Sequence, residues 1–397
     1  MNLPPRSTPL VCGLLLVAGP VLAQQAARPD LKELKARVLA DSNEPEVHYA
    51  LALGFIRDKK WDDADRQLGV TLSIAPGYAE AWLARSGLFF ARGRKYWEKQ
   101  FKAGGIDSVR ARLRQALRDE RHAFLLDPLV DLAATGMTDI GETPHLSVEN
   151  GESLSGYLPW WIPPLNNSII EMRQGLYPDA MKRLQQVIED SRIGSLTAAP
   201  DLILWYHGLA CAHAGEFEDA ILDLAMIRVR NDKHVVRGRG PRLAFPYNDL
   251  TYMMATAAFH GGQMTDAITE FNQVIQADFS LYMAHTQLAR IYSATGDWPH
   301  AVAEREAAVA ANAGDPTLLV DLGGTLLKAG RPAEAEEPLT EATTLNPRDA
   351  LAPYLLGQAL DKLGRDEDAK AAYQHFLAIA PSSYSAQTGQ VRARLAQ

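Results

Sequence analysis

Gly262-Gln-Met-Thr-Asp-Ala267 returns as Gly296-Asp-Trp-Pro-His-Ala301, as Gly330-Arg-Pro-Ala-Glu-Ala335 and as Gly364-Arg-Asp-Glu-Asp-Ala369. Each step is 34 residues, and in every copy the glycine stands five residues before the alanine. Two residue types held in register over four copies mark one structural unit repeated by stacking. The physics of a helix pair asks for both residues. Two antiparallel helices need a small side chain where their backbones come closest, which is the role of the four alanines. The glycine accepts the left-handed backbone that ends the first helix. Pro347 and Pro381 then close second helices before the next unit begins.

Working outward, the same pattern recurs less evenly. Asp30 is placed to cap a helix through about Ala40, which Asn43-Glu44-Pro45 ends. From Pro45, Leu51, Ala52, Phe55, Ala64, Leu68 and Pro76 follow Trp-x2-Leu-Gly-x2-Tyr, then Ala-x3-Phe and Pro, with Lys59 in place of the turn glycine. These residues and the 34-residue step resemble the tetratricopeptide repeat family over most of the chain. The resemblance implies an all-α, right-handed solenoid of about eight helix pairs and, as in relatives, a concave groove that holds a peptide.

The expected organisation is an N-terminal helix at 24–44 and two repeats at 45–128, interrupted by a basic and aromatic insertion at 92–105. A loop rich in Trp and Pro follows at 129–164. Repeats three and four fill 165–230, a basic insertion occupies 231–247, repeats five to eight run over 248–384, and 385–397 forms a capping helix. Pro338 falls inside a second helix and predicts a kink.

The first residues read as a sorting signal. Arg6 precedes the apolar run Leu10 to Gly19, and Val21-Leu22-Ala23 presents small residues to a signal peptidase, giving a signal peptide at 1–23. The expectation is a periplasmic or secreted protein that does not span a membrane after cleavage. Loss of Arg6 moves the formal charge from −8 to −9, with a pI near 5.7 for the whole chain. An acidic balance disfavours nucleic acid as a partner. Cys12 leaves with the signal, so Cys211 is the one remaining thiol and no internal disulfide forms.

Candidate binding residues come from the first helix of each unit. Positions 5, 9, 12 and 13 share the face that lines the groove in relatives. Here that face carries Trp205 and His213, then Tyr252, Thr256, Phe259 and His260. Farther on it carries Thr286 and Arg290, then Tyr354, Gln358, Asp361 and Lys362. Loop candidates are Tyr157, Trp160 and Trp161, which either stack on a ligand or pack, and Arg237 and Arg239 within the basic insertion. His207 and Cys211 are spaced as metal ligands, but they occupy packed positions and read as a buried thiol beside a satisfied histidine. Neither metal nor cofactor is expected. Enzyme signatures such as His-Glu-x-x-His, Gly-x-Ser-x-Gly or a phosphate loop do not occur. Glu216, Glu218 and Asp219 suit a helix start rather than acid/base chemistry. The sequence therefore points to a non-catalytic scaffold that binds a protein or peptide, the alternative being a carbohydrate-binding module that uses Trp160, Trp161, Trp205 and Tyr252.

Overall fold

The computed structural model describes residues 30–130, 161–190, 199–231, 247–278 and 281–396, and their regular structure is helical throughout. Helix α1 (Leu31–Ala40) begins where Asp30 accepts the Glu33 N–H at 2.8 Å. Four pairs follow: α2 (Pro45–Arg57) with α3 (Trp61–Ile74), α4 (Ala79–Ala91) with α5 (Gly93–Leu126), α6 (Ile162–Arg173) with α7 (Tyr177–Glu189), and α8 (Asp201–Ala214) with α9 (Phe217–Asn231). Four more complete the stack: α10 (Tyr247–His260) with α11 (Met264–Ala277), α12 (Met283–Thr295) with α13 (Trp298–Ala311), α14 (Pro316–Lys328) with α15 (Pro332–Leu345), and α16 (Leu351–Lys362) with α17 (Asp366–Ile379). Helix α18 (Ser385–Leu395) covers the last pair. Within each pair, and from pair to pair except between α5 and α6, consecutive described helices pack on one another, so the described residues form an all-α solenoid of eight pairs.

The repeated residues do what their chemistry requires. Ala267, Ala301 and Ala335 have no exposed surface and Ala369 has 1 %. Gly262, Gly296, Gly330 and Gly364 have φ of 79°, 78°, 76° and 71°. In the first pair Lys59 holds this left-handed conformation at φ 56°, at a cost of roughly 1–2 kcal/mol for a residue with a Cβ. A second close approach lies within the pair. A Cβ on Gly357 would stand 2.5 Å from the Tyr373 ring, and one on Gly323 would stand 2.4 Å from Leu339.

Several boundaries differ from expectation. The insertion 92–105 is helical rather than a stretched turn. Arg92 alone turns the chain, and α5 runs for 34 residues, broken only at Gly105 (φ 70°, ψ −176°), a conformation that glycine alone tolerates. The turn is held because Arg92, its side chain 6 % exposed, pairs with Asp62 at 3.1 Å while Trp97 stacks on Phe89 with centroids 4.2 Å apart. Helix α6 starts at Ile162, inside the expected loop, with prolines in its first turn where a missing N–H costs nothing. Pro338 lies inside the second helix α15, as its position in the repeat requires, and it is buried.

The first pair also meets the last. Asp41 accepts the Ser382 N–H at 2.8 Å, and Glu44 accepts the Ser382 hydroxyl at 3.0 Å and the Ser383 N–H at 3.1 Å. Arg348 donates to Ser73 Oγ at 3.3 Å and to the Ser42 carbonyl at 3.4 Å. Carboxyls crowd this seam. Burial, with a hydrogen bond to Glu44, pushes Glu46 up to about 7, and burial pushes Asp349 up to about 6. Asp41 goes the other way: burial opposes its ionisation, but the N–H groups of Asn43 and Ser382 hold it below its ordinary value.

Two outcomes are expected. Gly357→Ala forces the Tyr373 ring out of its place, and overpacking of this kind costs about 1–3 kcal/mol, read as a lower midpoint in urea with an unchanged slope. Glu46 keeps a proton in the folded chain where the unfolded chain has lost it. Its contribution is therefore complete below pH 4.5 and is lost as pH rises through about 7. Glu46→Gln removes that loss, so the stability of the variant relative to the parent rises between pH 5 and pH 8 in thermal melts. His122, held low by burial, titrates in the opposite sense, and it cancels in that comparison.

Candidate functional site: the inner wall of the stack

The residues expected to line a groove lie on α8, α10, α12 and α16, and part of the face they share is already occupied. The end of α5 and the turn after it lie against the wall. Tyr252, fully buried, donates from its hydroxyl to the Leu125 carbonyl at 2.8 Å. His213 Nε2 meets the Leu129 carbonyl at 3.1 Å, while its ring stacks on Tyr177 with centroids 4.4 Å apart. Arg121 reaches Asp249 with 3.0 Å contacts to both carboxylate oxygens. Leu125 joins the core formed by Tyr252, Phe271, Leu281 and Met283. The sequence explains the arrangement locally, because Asp127 accepts the Leu129 N–H at 2.9 Å and folds the chain into a tight turn after α5.

Other wall residues are held from within. Thr256 is buried and donates to the Tyr252 carbonyl at 2.9 Å. Thr286 is buried as well, and its hydroxyl has no hydrogen-bond partner among the described residues. Arg290 lies 5.0 Å from the Phe259 ring centroid and donates to Gln287 at 2.8 Å. Burial, with Arg305 nearby, depresses the pKa of its guanidinium. Burial also pushes the Tyr252 phenol far up, so it stays a donor. On α16, Tyr354 is buried and donates to Gln390 of α18 at 3.1 Å. Asp361 accepts from Tyr373 at 2.8 Å and from Arg394 at 3.0 Å. Gln358 is half-buried, and His260 and Lys362 are exposed. Of these candidates His213, His260 and Lys362 are exposed and Trp205, Phe259, Arg290, Gln358 and Asp361 are half-buried; His260, Arg290, Gln358 and Lys362 among them carry hydrogen-bond donors.

The remaining candidates divide. Trp161 is buried in the core with Leu129 and Leu165, and Trp205 is half-buried against the same core. Tyr157, Trp160, Arg237 and Arg239 lie outside the described residues. His207 Nδ1 pairs with Asp223 at 2.6 Å, and the Cys211 sulfur stands 3.6 Å from His207 Nε2. His213 points away from this group. Asp223 was not singled out in the sequence, although it follows Ala220 on the face that α9 turns to α8. Burial, together with Asp223, drives the Cys211 thiol far above its usual value, so it stays protonated. Glu216, Glu218 and Asp219 are exposed at the start of α9.

A shallow cleft of about 290 Å³ opens elsewhere, between α15, α16 and α17, over Pro353, Leu356 and Leu360. The charges at its rim already satisfy one another, since Arg365 bonds both Glu336 at 2.6 Å and Asp368 at 2.8 Å.

A match to a protein family supports the repeat reading over residues 286–384. The tetratricopeptide repeat family model matches residues 286–347 and 320–384, that is, α12 through α17. No curated protein is significantly similar in sequence. Among solved structures, MamA from AMB-1 is 19 % identical, covering 44 % of this chain and 89 % of its own, with a TM-score of 0.35. The C-terminal part of a TPR repeat-containing protein from Cytophaga hutchinsonii is 13 % identical, covering 57 % and 84 %, with a TM-score of 0.45. A MamA RS-1 variant is 18 % identical, covering 47 % and 96 %, with a TM-score of 0.38. Residues 286–384 thus match the tetratricopeptide repeat family, and helix pairs of the same kind continue on both sides of them.

Proposed function

We propose that the protein is a non-catalytic scaffold of the cell envelope that holds a peptide or a partner domain on the inner wall of its stack. The observation that carries this reading is the end of α5. A wall that takes the Leu125 and Leu129 carbonyls on Tyr252 and His213 is a wall built to bind main chain. The same chemistry suits a partner peptide along the accessible row His260, Arg290, Gln358 and Lys362, where donors await carbonyls or carboxylates. A preformed surface leaves most of the ordering cost with the partner. The saccharide alternative has less behind it, because Tyr252 and Trp161 are buried and Trp205 is half-buried, so these rings offer little face for stacking on sugar.

The envelope assignment rests on the basic-then-apolar leader and the small residues at 21–23. Amino-terminal sequencing of the exported protein should read from Gln24; an intact amino terminus overturns export by cleavage.

The wall itself is tested with a photo-crosslinking amino acid placed at Lys362 and, separately, at Leu222, which is 51 % exposed on α9. The expected result is one protein partner captured from Lys362 and none from Leu222. Capture from Leu222 alone overturns the wall as the binding surface.

A further inference from the structure

Helix α5 is far longer than its partner needs. Arg85 of α4 donates to both carboxylate oxygens of Asp119 at 2.8 Å, and Trp82 meets His122 with centroids 4.6 Å apart. Continuing this antiparallel register sets Ala91, the last residue of α4, level with Leu113. The turns from Ile106 to Arg112 therefore extend past the end of α4, behind the break at Gly105.

The spur is strongly basic in an acidic chain. Between residues 99 and 118 stand Lys99, Lys102, Arg110, Arg112, Arg114 and Arg118 against the single acid Asp107, a net of +5 in a chain whose total is −8. All six basic residues are exposed. Ile106, Val109, Leu113 and Leu117 follow helical spacing and share one face. Ile106 and Leu117 are 46 % and 50 % exposed, and none of the four belongs to a core cluster of the described residues. On the helical wheel Arg110 and Arg114 flank this stripe on one side and Arg112 on the other. Arg112 and Arg114 make no hydrogen bond or ion pair among the described residues, and Arg110 has only an exposed contact to Asp107 at 3.7 Å.

We propose that residues 106–118 of α5 dock on an anionic lipid surface, with the apolar stripe entering the headgroup boundary and the arginines spread to either side. An apolar face bordered by guanidinium groups is what such a surface selects: the long side chains reach phosphates while the stripe leaves water. A nucleic acid would use the charges and leave Ile106 and Leu117 in water. The segment lies on the surface and does not cross it, since no described helix is long and apolar enough to span a membrane. This inference uses residues 106–118 and none of the residues proposed to bind a partner on α8, α10, α12 and α16.

The test uses the full mature chain and co-sedimentation with vesicles of phosphatidylcholine, with and without phosphatidylglycerol. Binding to the anionic vesicles is expected to be at least tenfold tighter and to weaken with salt, because each basic residue near an anionic surface adds severalfold to affinity. Arg110→Glu/Arg112→Glu/Arg114→Glu should weaken it at least tenfold while circular dichroism and melting match the parent. If that triple change disturbs folding, Arg112→Gln/Arg114→Gln gives the same direction with a smaller loss. Ile106→Ser/Leu117→Ser should weaken binding at low and high salt alike. Equal binding by parent and charge variants overturns the proposal. So does retention of the chain on poly-glutamate without any affinity for anionic vesicles, which would assign the spur to an acidic protein.

Discussion

Everything in this stack depends on how closely two backbones can approach. At Ala267 and its three counterparts, and at Gly323 and Gly357, the partner helix occupies the space that a larger side chain would need. Close approach sets the angle within each pair, and the pair sets the offset to the next wherever consecutive pairs pack. The candidate side chains on α8, α10, α12 and α16 are therefore placed by small residues that lie between the helices. Protein interiors transmit such displacements because they are close-packed rather than fluid.

The regular part of the fold was legible because it obeys one rule four times. A glycine with φ near 75° followed by a buried alanine has few readings, and residues 262–369 carry that signature in register. The irregular part was less so, for identifiable reasons. A run of Gly, Lys and aromatic residues at 92–105 looks like a loop by composition, yet a single arginine can turn the chain when two aspartates hold it, as Asp62 and Asp65 hold Arg92.

The inner wall shows the limit of reading a face from spacing alone. Spacing puts Tyr252, Thr256, His260 and Arg290 on one side of their helices, and it cannot say that Leu125, more than a hundred residues earlier, will occupy part of that side. Such a contact is long in sequence, made through a backbone carbonyl, and leaves no periodic trace. The same holds for Asp223, whose pairing with His207 follows from the packing of α9 on α8. What the wall offers a partner is thus a subset of the residues that its periodicity names.

The seam between the first and last pairs has a mechanical meaning. An open stack of helix pairs behaves as a spring: each unit touches only its neighbours, and many small rotations add up to a large extension. Here Asp41 and Glu44 grip Ser382 and Ser383, and Arg348 grips the first pair from the other end of the chain. Joining the two ends removes the softest motion the architecture possesses. The coil becomes a hoop, stiff against stretching until the clasp lets go, and the clasp is made of two carboxylates, two hydroxyls, one guanidinium and the main chain at Ser42, Ser382 and Ser383.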